Sequence, residues 1–506
     1  MYFEELLLPI GLECPKELFG VSVSAIVTDS RRVVENSIFI CVEGRNDDGH
    51  RHIGEALSAG AKVIVAESVR NECEGGAALL YAENTRRIAS LLYNLWYGDP
   101  VSRMKFIGVT GTNGKTSVAY ILYRILESSG YKAGLIGTVE YLSCGGRKIR
   151  SRDNMTTPDP ETLYSMLRQM SDDGVEYVVM EVSSHALAQC RTDPIKFEVA
   201  VFTNLTEEHL DFHSDMEDYY KAKEKLFLQT EKAVVNIDCD AGKRLDSFLR
   251  ERGILKKTCS RKEGDFCALD AKCTENGIEY VLVKNFDRCN SIRVKSSLLG
   301  DFQVMNSLEA ITAAELCGID AVNASLALEE IEGIKGRLEQ IDVAEKEKHG
   351  IKVFVDFAHT PDALERLLRS VKAMLDESSR IILLFGCGGD RDRGKRKDMG
   401  RIASRLADFV VITSDNSRSE DPQNIIKDIL KGIDKEKEFA VIESRKEAIT
   451  KAIVEFARDG DVVVLAGKGH EDYEITASGK HPFNEREIAC EALKMRIFAR
   501  QERKGK

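Results

Sequence analysis

One stretch constrains this chain more than any other. Lys105-Phe106-Ile107-Gly108-Val109-Thr110 reads as a buried strand, and it runs without a break through Gly111-Thr112-Asn113-Gly114-Lys115-Thr116 into a helical pattern. Val118, Ile121, Leu122 and Ile125 fall at the i, i+3, i+4, i+7 spacing of one apolar helix face, so the glycines occupy a strand-to-helix corner. At such a corner the glycines let the backbone turn tightly, and the unpaired N–H groups of the first helical turn point at an anion. Lys115 supplies a cation for terminal phosphates, and Thr116 a hydroxyl able to ligate Mg²⁺. The strict P-loop pattern has a glycine where Val109 stands, so this is a variant; the alternative is a glycine-rich turn that binds nothing.

At 506 residues the chain exceeds one core and fits about three domains on the usual ~150-residue scale. No run approaches the roughly 18 apolar residues of a membrane span. The first residues carry acids where a signal or transit peptide has a basic segment. The 13 cysteines are scattered without a C-x-x-C pair, which predicts reduced thiols in a cytoplasmic protein rather than disulfides or a zinc site. A formal charge of −11 argues against nucleic-acid binding, which needs clustered Lys and Arg. The expected partners are small molecules, and the chain is expected to be a monomer.

The expected fold class is α/β in three domains: a small N-terminal α/β unit (1–100), a central P-loop mononucleotide-binding parallel or mixed sheet (101–340) and a C-terminal Rossmann-like unit (341–506). In the first, strands are expected at Ala25–Thr28, Ser37–Val42 and Ala61–Val65, with polar loops at Asp29-Ser30-Arg31 and Glu43–His50 beyond strand ends. In the second, apolar runs at Glu176–Glu181, Phe197–Phe202 and Lys232–Ile237 suit strands covered on both faces. Glu181, at the carboxyl end of one of them, is the first metal candidate; a solvated strand-end carboxylate is the alternative. His209, Asp211 and His213 lack the spacing of a zinc motif, and His213 reads equally as a capping or core residue. Lys221, Lys223 and Lys225 lie on one predicted helix but cannot share a face, so at least one must point away from the others. Residues 240–300 give few strong signals.

In the third unit, runs at Lys352–Phe357, Arg380–Phe385, Asp408–Thr413 and Asp461–Ala466 each empty into a charged or glycine-rich loop. Such loops at one sheet edge compose a site. The glycines from Gly386 lack the dinucleotide-binding order, because Arg391 stands where the third glycine belongs. Arg391, Arg393, Lys395 and Arg396 suit anions, with a solvated basic loop as the alternative.

Separated motifs then point one way. Asp29-Ser30-Arg31, Gly111–Thr116, Glu181-Val182-Ser183-Ser184-His185, Asn204-Leu205 with His209-Leu210-Asp211, Phe302 with Asn306, Gly336-Arg337 with Glu339, Asp356 with His359-Thr360-Pro361, and Gly467-Lys468-Gly469-His470-Glu471 together resemble the Mur ligases, nearly end to end. The resemblance is closest to the branch adding the third stem-peptide residue to UDP-N-acetylmuramoyl-L-Ala-D-Glu in peptidoglycan synthesis. It implies an ATP-dependent acid–amino-acid ligase using Mg²⁺, acting through an acyl phosphate. Gly111, Thr112, Asn113, Gly114, Lys115, Thr116, Asn306, Arg337, Asp356 and His359 would bind the nucleotide. Thr116, Glu181, His209 and Lys223 would take Mg²⁺, with Lys223 at the position of the family's carbamylated lysine, and Lys115, His209 and Lys223 would be catalytic. Ser30, with the loop near Arg45, would hold uridine. Thr156, Thr157, Ser183, Gln189 and Arg191 would grip the sugar-peptide, and the segment Asn154-Met155-Thr156-Thr157-Pro158 fits that pattern. Arg393, Asp415, Asn416, Arg418, Gly467 and Glu471 would bind the incoming amino acid. Meso-diaminopimelate is expected, because Arg418 suits its distal carboxylate. Ser417 stands where the family has proline, and Gln303 where it has asparagine. Competing readings are the L-lysine-adding enzyme, a folylpolyglutamate-type synthetase and a P-loop switch ATPase without ligase chemistry.

Overall fold

The computed structural model describes residues 1–44, 47–68, 77–151, 155–210, 212–343, 349–375 and 379–504. The chain separates into two compact units, one of Met1–Thr110, Gly130–Ala200 and Lys221–Lys232, the other of Gly111–Ser129, Val201–Tyr220 and Ala233–Lys506.

The first unit holds a parallel sheet ordered Ala25–Val27, Ser37–Ile40, Ala61–Ala66, Ala78–Tyr81. Its core is built from Val27, Phe39, Ile64 and Ala56. The strand Ala78–Tyr81, not among the strands expected from sequence, lies at the sheet edge with its side chains half-buried and Tyr81 exposed. The same unit aligns Lys105–Thr110, Tyr177–Glu181 and Ala133–Ile136. Lys105–Thr110 pairs in parallel with Tyr177–Glu181, in register Val109 to Glu181. This delivers the carboxylate of Glu181 to the same sheet edge at which Thr110 leaves its strand.

In the second unit the helix Lys115–Ser128 packs on the helix Phe302–Leu316, which is buried nearly all round. Residues 240–300, which gave few signals, fold as the helix Asp240–Glu251, the strand Leu255–Ser260 and a meander of Phe266–Thr274, Gly277–Lys284 and Asp287–Ser296. The last of these is exposed along most of its length, so its charges mask the strand pattern. A six-stranded sheet follows, ordered Glu339–Ile341, Lys352–Asp356, Val462–Ala466, Ile381–Phe385, Phe409–Ile412, Phe439–Val441. Only its first strand is antiparallel to its neighbour. Apolar clusters cover both faces, Leu383, Phe385 and Val464 on one and Ile382, Leu384 and Val463 on the other. That two-sided burial is why these strands are continuous apolar runs in the sequence.

No helix among the described residues is long and apolar enough to cross a membrane. The described cysteines are free thiols.

Candidate active site

The phosphate loop takes the geometry its glycines allow. Gly111 has φ +147°, and a Cβ there would overlap Thr203 Oγ1 and lie 3.0 Å from Asn204 N and O. Gly114, in the left-handed region, is the N-cap of Lys115–Ser128. The loop is pinned from a neighbouring strand end: Thr203 Oγ1 and Asn204 Nδ2 donate to Asn113 O at 2.6 and 3.0 Å, while Asn113 N donates to Asn204 Oδ1 at 2.9 Å. Thr112 Oγ1 accepts from Thr206 N at 3.0 Å and lies 3.2 Å from Tyr219 Oη. Lys115 Nζ donates to Gly111 O and Thr112 O, both at 2.9 Å, so its ammonium lies across the loop.

Groups distant in sequence converge on this corner. Arg337 Nη2 donates to Thr116 Oγ1 at 2.7 Å, and Asn113 Nδ2 to Asp362 Oδ2 at 2.9 Å. Asn306 donates to Gln303 Oε1 at 2.9 Å, and Gln303 is fully buried, so the residue departing from the family pattern orients its neighbour. Asp356 accepts from Leu338 N at 2.6 Å and Ala358 N at 2.8 Å; burial raises its carboxyl, with Arg337 opposing. Gly336 and Gly469 meet where two loops cross: a Cβ on Gly336 would lie 2.5 Å from Gly469 C and overlap His470 N.

Glu208, which no motif singles out, lies nearly buried between two imidazoles, 3.5 Å from His359 Nε2 and 3.6 Å from His209 Nε2. Burial alone would raise its carboxyl. The bond from His359 and the charges of His209, His359 and Lys115 outweigh that and hold it well below the usual carboxylate range. His209 has φ +60°, a strained conformation for a side chain of its size. His213 is a core residue, packed on Phe212 and Tyr219.

A second cluster gathers at the carboxyl edge of the six-stranded sheet. Asn416 Nδ2 donates to Glu471 Oε2 at 2.8 Å, and its Oδ1 accepts from Lys468 Nζ at 2.8 Å and Ile475 N at 3.0 Å. Arg418, at φ +52°, donates from Nη1 to Gly389 O at 2.8 Å and from its backbone N to Ile475 O at 3.0 Å. Burial, and Asp415 beside it, raise the Glu471 carboxyl. For Asp415 the burial penalty is outweighed by Lys468 and Arg445, which lower it. Arg393 is exposed and pairs with Glu420 at 3.1 Å. Arg396 corrects the anion-loop reading: it is 1% exposed and tied to Glu420, Asp428 and Gly388 O, a structural bridge rather than an anion receptor.

In the first unit, Thr157 Oγ1 donates to Glu181 O at 2.8 Å and accepts from Ser183 N at 3.0 Å. Ser183 caps the short helix Ser184–Ala188. Arg191 donates to Gln189 Oε1 from Nε and Nη2 at 3.1 and 2.7 Å, and to Thr157 O from Nη1 at 2.6 Å. Thr156 lies 3.0 Å from Thr138 Oγ1, and Thr138 donates to both Glu181 oxygens from N and Oγ1, at 2.7 and 3.0 Å. Beside these residues opens a cavity of about 800 Å³ whose walls include Arg32, Arg86, Tyr93, Tyr97, Gln189 and Arg191. Tyr93, on the buried face of the helix Thr85–Trp96, and Tyr97, the residue that ends it, carry no motif that would single them out in the sequence. Ser30 donates to Glu55 Oε2 at 2.9 Å. Arg45, Asn154 and Asp211 lie outside the described residues. On the helix Met216–Phe227, Lys223 is 1% exposed while Lys221 and Lys225 face solvent, as the spacing required. Burying a lysine is costly unless its charge is compensated or removed.

The Mur ligase middle domain matches residues 109–314, and the Mur ligase, glutamate ligase domain residues 336–469. A UDP-N-acetylmuramoyl-L-alanyl-D-glutamate--2,6-diaminopimelate ligase of Clostridioides difficile is 40% identical, across 94% of this chain and 96% of its own length. The enzyme of that name from Listeria innocua is 36% identical, across 98% and 99%. A solved structure of a ligase of the same name superposes with TM-score 0.68 at 30% identity, covering 98% of this chain and 99% of that one. MurF ligase from Thermotoga maritima, solved in complex with ADP, shares the fold with TM-score 0.59 at 19% identity, across 94% and 98%.

Proposed function

The chain belongs to the Mur ligase family, and we propose that it joins meso-diaminopimelate to UDP-N-acetylmuramoyl-L-Ala-D-Glu at the expense of ATP, in peptidoglycan synthesis. One observation carries the reading: relatives named for that reaction are about 40% identical over nearly their full length. The sheets and the two family segments support three working domains, 1–100 for the uridine nucleotide, 101–340 for ATP and 341–506 for the amino acid.

A carboxylate cannot expel oxide, whereas an acyl phosphate expels phosphate. ATP therefore transfers its terminal phosphoryl group to the D-Glu side-chain carboxylate, giving ADP. The amine of diaminopimelate then attacks the acyl carbon, the tetrahedral adduct loses phosphate and a proton, and an amide remains. Lys115 and the N–H groups around Gly114 balance the charge gathering on the phosphates. Asn306 and Arg337 touch the nucleotide, and Asp356 and His359 line its ribose and phosphates. Thr156, Thr157, Ser183, Gln189 and Arg191 hold the sugar-peptide beside the 800 Å³ cavity, and Ser30 the uridine. Arg418, with Asp415, Asn416, Gly467, Glu471 and Arg393, receives the amino acid, the guanidinium matching a distal carboxylate that lysine lacks.

Thr116, Glu181, His209 and Lys223 are the residues that would take a divalent cation, Lys223 offering oxygen once carbamylated. Mg²⁺ held there would supply Lewis acidity toward phosphoryl oxygens. A soluble cytoplasmic monomer completes the proposal.

The test is a radiochemical ligation assay offering meso-diaminopimelate, L-lysine and L-ornithine in parallel, with ATP and the nucleotide-linked dipeptide. Incorporation of diaminopimelate far above the others is expected. Preferential use of lysine would overturn the acceptor assignment. Phosphate release indifferent to any amino acid would point to a switch ATPase.

A further inference from the structure

Lys468 lies beneath the acceptor loop with none of its surface exposed. Its ammonium makes two hydrogen bonds, to Asn416 Oδ1 at 2.8 Å and Tyr473 O at 2.9 Å. It also lies 3.6 Å from Asp415 Oδ1 and 3.5 Å from Glu471 Oε2. An ammonium is donor-only, so the atom of Asn416 that faces it must be the carboxamide oxygen. This leaves Nδ2 toward Glu471, as found. Ile475 N adds a second donor to the same oxygen, and Ile475 O receives Arg418 N, so the hairpin Tyr473–Thr476 with Gly479–Pro482 clasps the loop from the other side. Ser417 provides none of the φ restriction that a proline there would. Lys468 and the hairpin supply the missing restraint by hydrogen bonding.

We propose that Lys468 is a positioning residue of the acceptor site: it fixes the carboxamide of Asn416 and balances Asp415 and Glu471, so that all three present one arrangement to the incoming amino acid. The inference rests on the diaminopimelate reading above. The charge environment is specific. Asp415 faces Lys468, Arg445 and His359, and Arg445 is in turn bonded to buried Glu485 at 2.6 Å. Glu471 faces Asp415, Lys468, His359, Tyr473 and Arg418. Lys468 is the cation nearest to both carboxylates, so its removal raises both carboxyls and lets them protonate at higher pH.

The experiment measures KM for diaminopimelate and for ATP, with kcat, in the wild type, Lys468→Gln and Lys468→Arg, at pH of about 6.5 and about 9. For Lys468→Gln, the variant-to-wild-type ratio of acceptor KM should be on the order of tenfold or more at the lower pH and shrink at the higher, with the ATP KM unchanged. Lys468→Arg, which keeps the charge, should show a pH-independent ratio. A purely structural lysine would alter all KM values together, or alter melting without any pH trend in the acceptor ratio, and either outcome overturns the proposal. Should Lys468→Gln not fold, Lys468→Arg decides alone: a pH-dependent acceptor ratio in it refutes the charge-balancing role. Failure of the wild type to join diaminopimelate would instead refute the ligase reading itself.

Discussion

Replacing Gly111 by alanine isolates what the phosphate loop demands of its backbone. At φ +147° a side chain adds about 1–2 kcal/mol of conformational strain. The new methyl also collides with Thr203 Oγ1, so Thr203 must turn away and lose its 2.6 Å bond to Asn113 O, a further ~1 kcal/mol. The Asn204 backbone, with atoms 3.0 Å from the methyl, has to give as well. Together these amount to about 3 kcal/mol borne by the loop, or roughly a 100-fold fall in kcat/KM for ATP. Gly130→Ala is the matched control, because Gly130 shares a positive φ of +86° but has nothing within 4 Å of the added Cβ. It should lower stability by about 1 kcal/mol in urea denaturation and leave turnover intact. Coupled phosphate-release kinetics read both variants. If Gly111→Ala keeps kcat/KM within about threefold of wild type, or Gly130→Ala loses as much, the reasoning from close approach is wrong.

Other expectations follow from single residues. Lys223→Ala should cripple ligation, with partial recovery on adding short carboxylic acids; full activity without them would exclude a metal-side role for Lys223. Arg418→Lys should reduce diaminopimelate use far more than lysine use in a two-acceptor competition, and an unchanged preference would sink the acceptor assignment. Arg445→Met leaves Glu485 buried without its 2.6 Å partner, so denaturant unfolding should show a loss of about 3–5 kcal/mol. A loss below about 1 kcal/mol would mean that Glu485 finds another partner.

What the sequence disclosed tracks how strongly burial shapes it. The strands Ile381–Phe385 and Val462–Ala466 are apolar on both faces, so they stand out as runs with nothing alternating inside them. Asp287–Ser296 is exposed along most of its length, and no periodicity in Asp287-Arg288-Cys289-Asn290 betrays a strand held by its neighbour. The same logic governs the site. Glycines, and lysines that cannot share a helix face, are visible from spacing alone. Lys468 and Glu208 are not, because their importance comes from what long-range folding brings beside them: Asp415 and Asn416 for one, His359 for the other. Arg396 errs in the opposite direction, since a basic loop in sequence looks alike whether its charges face solvent or a half-buried Glu420.

The crossing of Gly336 with Gly469 has a mechanical meaning. These residues are the first and last of the matched glutamate-ligase segment. The chain thus enters and leaves that segment at a single bare point, where main chain touches main chain. The two ends of the segment are thereby fastened backbone to backbone, and the chain beyond Gly469 turns back to complete it: Ala489, Ala492 and Leu493 close the apolar face of the same sheet, so a graft that stopped at Gly469 would bare that face to water.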